Sequence, residues 1–191
     1  MTRWEIINAF AKERNYESYL EVGVFRGECI DQVKIFARTG VDPDPEAPAE
    51  YHCTSDEYFN AYPEHKYDFI FIDGLHNAEQ VWRDIQNALN HLNRNGVIML
   101  HDCMPTTEKM QIPDTISHQG EEWTGDCWKA YWKALKELPY RVYLLNHDYG
   151  CGIIDTMHRE RKGVYNVDMA KLDWGKYLQI GPMMNIKEAI V

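Results

Sequence analysis

Four strand-like runs each carry an acidic residue at or just past their end, and that recurrence constrains the fold more than any other feature of the chain. Residues 18–23 (Ser-Tyr-Leu-Glu-Val-Gly) carry Glu21, residues 35–41 lead into Asp42, residues 67–72 lead into Asp73, and residues 97–100 lead into His101-Asp102. Tyr67-Asp68-Phe69-Ile70-Phe71-Ile72 has the length and β-branched and aromatic content of a strand buried on both faces. Between the runs lie segments of helical period. Trp4, Ile7 and Ala11 follow the capping pair Thr2 and Glu5, and Val81, Ile85, Ala88, Leu89 and Leu92 follow Asn77.

Strands alternating with helices predict an α/β fold: a Rossmann-like, mostly parallel sheet with helices on both faces. Short helices are expected at residues 28–33 and after the capping pair Thr54 and Glu57, a short strand at residues 51–54, and a left-handed helix stop at Asn95-Gly96. Trp128, Tyr131, Trp132 and Leu135 mark a further helix with Asp126 as its capping acid, so these aromatics read as core. Residues 140–145 and 151–154, separated by Asn146 to Gly150, predict a C-terminal antiparallel hairpin. Residues 104–125 show no period and read as a substrate lid, in which Trp123 is the aromatic left free for a ligand.

At 191 residues, with 45% hydrophobic and 13% aromatic residues, the chain is expected to form one domain over residues 1–191. An N-terminal helix fills residues 1–17, and residues 159–191 form a tail expected to pack on a partner chain, such as a second copy in a homodimer, with Met183, Met184 and Ile186 as candidate contacts. A net charge of −10 argues against a nucleic-acid partner, which needs concentrated Lys and Arg. No run approaches the roughly 18 apolar residues of a membrane span, and five scattered cysteines without a CxxC pair suit reduced thiols, so a cytoplasmic protein is expected.

In open parallel sheets ligands gather at the carboxyl ends of the strands, where Glu21, Asp42, Asp73 and Asp102 fall. Gly23 and Gly27 permit a tight turn and close approach of a ligand to the backbone. Asp42 follows Gly23 at nearly the spacing of an acid that binds ribose hydroxyls. The turn Glu21-Val-Gly-Val-Phe-Arg-Gly27 lacks the glycines that make room for a pyrophosphate. That disfavours an NAD-dependent or nucleotide-sugar-dependent oxidoreductase, and a ribose-bearing cofactor without pyrophosphate fits better.

Glu21-x-Gly23-x-x-x-Gly27, Asp42, residues 67–73 and residues 95–102 together resemble the class I S-adenosylmethionine-dependent methyltransferases. The resemblance implies that Glu21, Gly23 and Gly27 surround the methionine part of the cofactor, Asp42 holds the ribose, and Ser55 or Asp56 lies near the adenine. Within that class the chain is most similar to small metal-dependent O-methyltransferases and to cephalosporin-hydroxylase-like proteins. Asp73 and Asp102 match two ligands of a divalent cation such as Mg²⁺ or Mn²⁺. Cys103 stands where those enzymes have Asn, a thiol suits Mg²⁺ poorly, and His101 is the replacement offered as third ligand.

His76 stands three residues after Asp73, where the catechol-type enzymes place a catalytic lysine. A histidine there can remove the acceptor hydroxyl's proton, with Asp73 beside it, or it can cap the following helix. The resemblance implies O-methylation of a small acceptor, and Ile72-Asp-Gly-x-His76 points to sugar, glycan or secondary-metabolite hydroxyls. A cofactor-binding module without catalysis is the reading from another class, and the joint presence of Asp73, His76 and Asp102 weighs against it.

Overall fold

The computed structural model describes residues 1–113 and 122–188. Its strands are β1 (Ser18–Val22), β2 (Ala37–Val41), β3 (Tyr67–Ile72), β4 (Leu92–Leu100), β5 (Tyr140–Leu145), β6 (Cys151–Arg159) and β7 (Ile186–Lys187). They form one sheet in the order β2-β1-β3-β4-β6-β5-β7. The first four run parallel, β6 lies antiparallel between β4 and β5, and β7 adds parallel to β5. The α/β Rossmann-like architecture and the closing hairpin are therefore as expected.

The pleat sends alternate residues to two cores. Tyr19, Phe69, Phe71, Val97, Met99, Tyr143 and Ile153 face α1 (Arg3–Arg14) and the buried Cys29–Ile35 segment. Leu20, Val22, Ile70, Ile72, Ile98, Leu100 and Ile154 face α2 (Ser55–Ala61), α3 (Ala78–His91) and α4 (Cys127–Glu137). Trp128, Tyr131 and Trp132 are buried in that second core, and at about 1.5–3 kcal/mol per large buried side chain they anchor α4. Among the described residues no helix is long and apolar enough to cross a membrane.

Four local expectations need correction. Residues 28–33 form turns rather than a helix, because side chains capture the groups that would propagate it. Arg38 donates to the Ile30 and Val33 carbonyls at 3.1 and 2.9 Å, and Asn8 bonds Gln32 O and Lys34 N at 2.9 and 2.7 Å. The strand expected at 51–54 shrinks to one bridge between Val41 and Tyr51. Asn95-Gly96 does not end α3, which stops at His91. Leu92 already pairs with Tyr67, and left-handed Asn95 sits in an irregularity before the ladder resumes at Val97 opposite Phe69. Asp126 precedes α4 without capping it and instead accepts Ala78 N–H, at the start of α3, at 2.7 Å.

The tail folds back on its own sheet. Residues Met169–Lys171 form a turn of 3-10 helix, α5 spans Trp174–Ile180, and β7 follows. Met169, Ile180 and Met184 are buried against the core, whereas Met183 and Ile186 stay exposed. The part of the expected lid that falls on residues 114–121, with His118, lies outside the described residues.

Candidate active site

Each acid expected to mark a strand end stands at the carboxyl edge of the sheet. Glu21 lies within β1, and the other three follow β2, β3 and β4. The backbone ladder runs on past the strands: Gly23 N–H donates to Val41 O at 2.9 Å, Asp73 N–H to Val22 O at 2.8 Å, and His101 N–H to Ile72 O at 3.1 Å. The site residues are thus held as firmly as the sheet itself.

Above this edge opens a cavity of about 730 Å³, lined by Glu21, Gly23, Asp42, Ser55, Asp56, Asp73, His76, His101 and Asp102 among others. Of the residues expected at the site, Gly27 alone stays outside the lining; its φ of +82° turns the chain where a Cβ would lie 2.9 Å from Pro48. Gly23 has a stricter reason to be glycine, since with φ +87° its Cβ would meet Asp73 O at 2.3 Å. Midway between them Phe25 takes a left-handed φ of +51°, a strained conformation for a bulky residue. Asp42 holds it there by accepting Val24 and Phe25 N–H at 2.9 Å each. Asp42 also accepts Asp44 N–H at 2.9 Å, which leaves about one of a carboxylate's four acceptor sites for a ligand.

Glu21 is 1% exposed, and Tyr19 donates its hydroxyl to it. Burial pushes the Glu21 carboxyl up to about 7, against the hydrogen bond from Tyr19. Also on the cavity wall, Ser55 donates to buried Asp84 at 2.6 Å, and Gln80 donates to both at 3.2 and 3.0 Å.

The structure brings His76, His101, Asp73 and Asp102 together. His76 lies with Nε2 3.4 Å from Asp73 and Nδ1 3.3 Å from Asp102, and His101 Nδ1 lies 3.1 and 3.2 Å from the same two carboxylates. Burial opposes charge on both imidazoles, but the carboxylates outweigh it and raise both above the ordinary histidine value. Asp73 is held below the usual carboxylate range: burial works the other way, and His101 and His76 overcome it.

Asp73, His76 and Asp102 each offer a ligand atom, all within 4.8 Å of one another. His76 Nδ1 and His101 Nε2 are buried without a hydrogen bond. This mixed nitrogen and oxygen donor set, with unfilled donors, fits a divalent cation of the Mn²⁺, Fe²⁺ or Zn²⁺ kind better than Mg²⁺. His76 is the third member of that group, and the expected His101 lies beside it, with Nδ1 3.1 and 3.2 Å from the same two carboxylates. Cys103 is buried, its thiol pushed up by burial, and it takes no part.

Sequence reasoning missed three contributions. Arg3, at the start of α1, reaches the cavity and stands 3.8 Å from Asp73. Asp148, in the β5–β6 turn, approaches His101 Nε2 at 3.6 Å and accepts Arg3 N–H at 2.8 Å. Burial opposes its ionisation, but His101 and the Arg3 backbone hold its carboxyl down at about 2. Neither residue belongs to a motif; only the fold brings them near. Gly125 was the third: its φ is +58°, and a Cβ there would lie 1.9 Å from His76 O. Trp123, expected to be free for a ligand, lines the cavity but stacks on His76 with centroids 4.6 Å apart and donates its indole N–H to Ile112 O at 2.7 Å.

Residues 12–103, which include β1 to β4 and all four strand-end acids, match the family described as a methyltransferase domain. No match was found among curated proteins. Among solved structures, a Staphylococcus aureus protein described as a caffeoyl-CoA O-methyltransferase is 16% identical, with a TM-score of 0.61 over 80% of this chain and 82% of that one. The Bacillus cereus O-methyltransferase in complex with SAH is 10% identical, with a TM-score of 0.61 over 80% of each chain. TomG from Streptomyces achromogenes, an O-methyltransferase of tomaymycin synthesis in complex with SAM, is 11% identical, with a TM-score of 0.58 over 81% and 79%. At such identities the likeness is one of fold.

Proposed function

We propose that this chain, which has the class I methyltransferase fold, transfers the methyl group of S-adenosylmethionine to a hydroxyl of a small acceptor such as a sugar or a secondary metabolite. The observation that carries this reading is the position of His76, between Asp73 and Asp102 and on the wall of the cavity that Glu21, Gly23 and Asp42 also line. When bound, S-adenosylmethionine supplies an electrophilic methyl group on a sulfonium.

Gly23 lets the ligand lie against backbone, Glu21 and Asp73 face its cationic end, and Asp42 offers its remaining acceptor site to a ribose hydroxyl. Ser55 and Asp56 lie at the adenine end. His76 takes the proton of the acceptor hydroxyl as the new oxygen–carbon bond forms and the carbon–sulfur bond breaks. Asp73 and Asp102 orient the imidazole and stabilise the imidazolium. Trp123 covers His76 and keeps water from its face.

The cluster itself favours a second reading, in which Asp73, His76 and Asp102 hold a divalent cation with His101 beside them. The cation would lower the acceptor hydroxyl's pKa and fix its orientation. His76 then acts as a ligand and not as the base. Methyl transfer to a panel of sugars and phenols, followed by mass spectrometry with and without EDTA, separates the two. On the first reading His76→Ala lowers kcat by about 10²–10⁴-fold and EDTA has no effect. Loss of turnover in EDTA, restored by Mn²⁺, supports the second. Full turnover by His76→Ala would contradict both.

A further inference from the structure

Helix α1 carries an arginine at each end of its span, and the two are used differently. Arg14 lays both arms of its fork on Asp155, at 2.8 Å each, and also donates to Tyr16 at 3.2 Å. Arg3 has a side chain only 20% exposed, yet that side chain makes a single long hydrogen bond, 3.4 Å to Asp148. Glu28 and Asp73 stand off at 3.9 and 3.8 Å, and Arg3 Nε is buried without a hydrogen bond. A guanidinium has five N–H donors, so most of those on Arg3 remain open.

Arg3 lines the same cavity as Glu21 and Gly23, with its Nε 3.8 Å from Asp73. Among the described residues lining it, Arg3 is the sole Lys or Arg, set against Glu21, Glu28, Asp42, Asp56, Asp73 and Asp102. His76 and His101 also line the cavity, but Asp73 and Asp102 already engage their ring nitrogens, so Arg3 is the guanidinium with open donors for an anionic group. On the methyltransferase reading, on which this inference rests, the amino-acid end of the cofactor lies beside Glu21 and Asp73. It is a zwitterion. The acids match its ammonium, and the open donors of Arg3 match its carboxylate.

We propose that Arg3 is the residue that receives the cofactor's carboxylate, making the N-terminal helix part of the binding site. The planar fork suits two parallel bonds to a carboxylate, which a lysine cannot reproduce. Asp148 sets its position by accepting the Arg3 backbone N–H.

Calorimetric titration with S-adenosylhomocysteine and with methylthioadenosine, which keeps the adenosine and thioether but lacks the amino-acid group, tests this. Arg3→Ala should weaken S-adenosylhomocysteine by about tenfold to a hundredfold and leave methylthioadenosine within about twofold. Arg3→Lys should recover part of the loss. Arg3→Met, which keeps most of the packing, gives the same contrast if the alanine variant unfolds. Equal weakening of both ligands would make Arg3 a mere anchor of α1 and overturn the assignment, as would an unchanged affinity for S-adenosylhomocysteine. Wild-type protein that binds neither ligand would instead overturn the methyltransferase reading beneath it.

Discussion

Glu21 carries a measurable consequence of being buried in a strand that feeds the site. Its carboxyl titrates at about 7 in the folded protein, against roughly 4.3 in an unfolded chain. Between those values the folded state holds the extra proton, so this group makes stability fall as pH rises. Glu21→Gln, which cannot titrate, should flatten that decline, as urea denaturation at a series of pH values would show. An unchanged slope would mean that the carboxylate is not as desolvated as the structure implies. At this scale the sequence was most legible where chemistry and strand period coincide, at Glu21, Asp42, Asp73 and Asp102. It was silent on Arg3 and Asp148, because one charged residue at a helix start and one in a hairpin turn have no period that distinguishes them from solvated surface.

The elements were readable where an apolar face repeats and unreadable where side chains compete for backbone groups. The helical faces of α3 and α4 had to be buried, and they are. Residues 28–33 had the same look, but Arg38 and Asn8 take the groups a helix would need. How α1 is fastened was likewise invisible, since Arg14 and its partner are 141 positions apart. Asp155 is fully buried; burial alone would raise its pKa, but Arg14 and His158 hold it below the usual carboxylate range. A carboxylate with a lowered folded pKa stabilises above its unfolded value and loses that contribution as pH falls through the folded one. Asp155→Asn should therefore cost roughly 3–5 kcal/mol near neutral pH, the usual loss when one partner of a buried pair goes. The deficit should shrink in acid. A variant as stable as wild type in thermal unfolding at neutral pH would show that the fork contributes nothing net.

Across the whole molecule, one sheet edge gathers what three separate stretches supply: the strand ends, the start of α1, and residues 123–126 ahead of α4. The first was written in the order of apolar runs and acids. The other two depend on how the helices pack, which no local pattern encodes. If that edge is a site for S-adenosylmethionine, thermal shift shows it most directly. With ligand at 100 times its dissociation constant, S-adenosylmethionine or S-adenosylhomocysteine should stabilise the protein by about 2.7 kcal/mol, and Asp42→Ala should abolish that shift. Stabilisation by NAD, with none from either S-adenosyl compound, would contradict it.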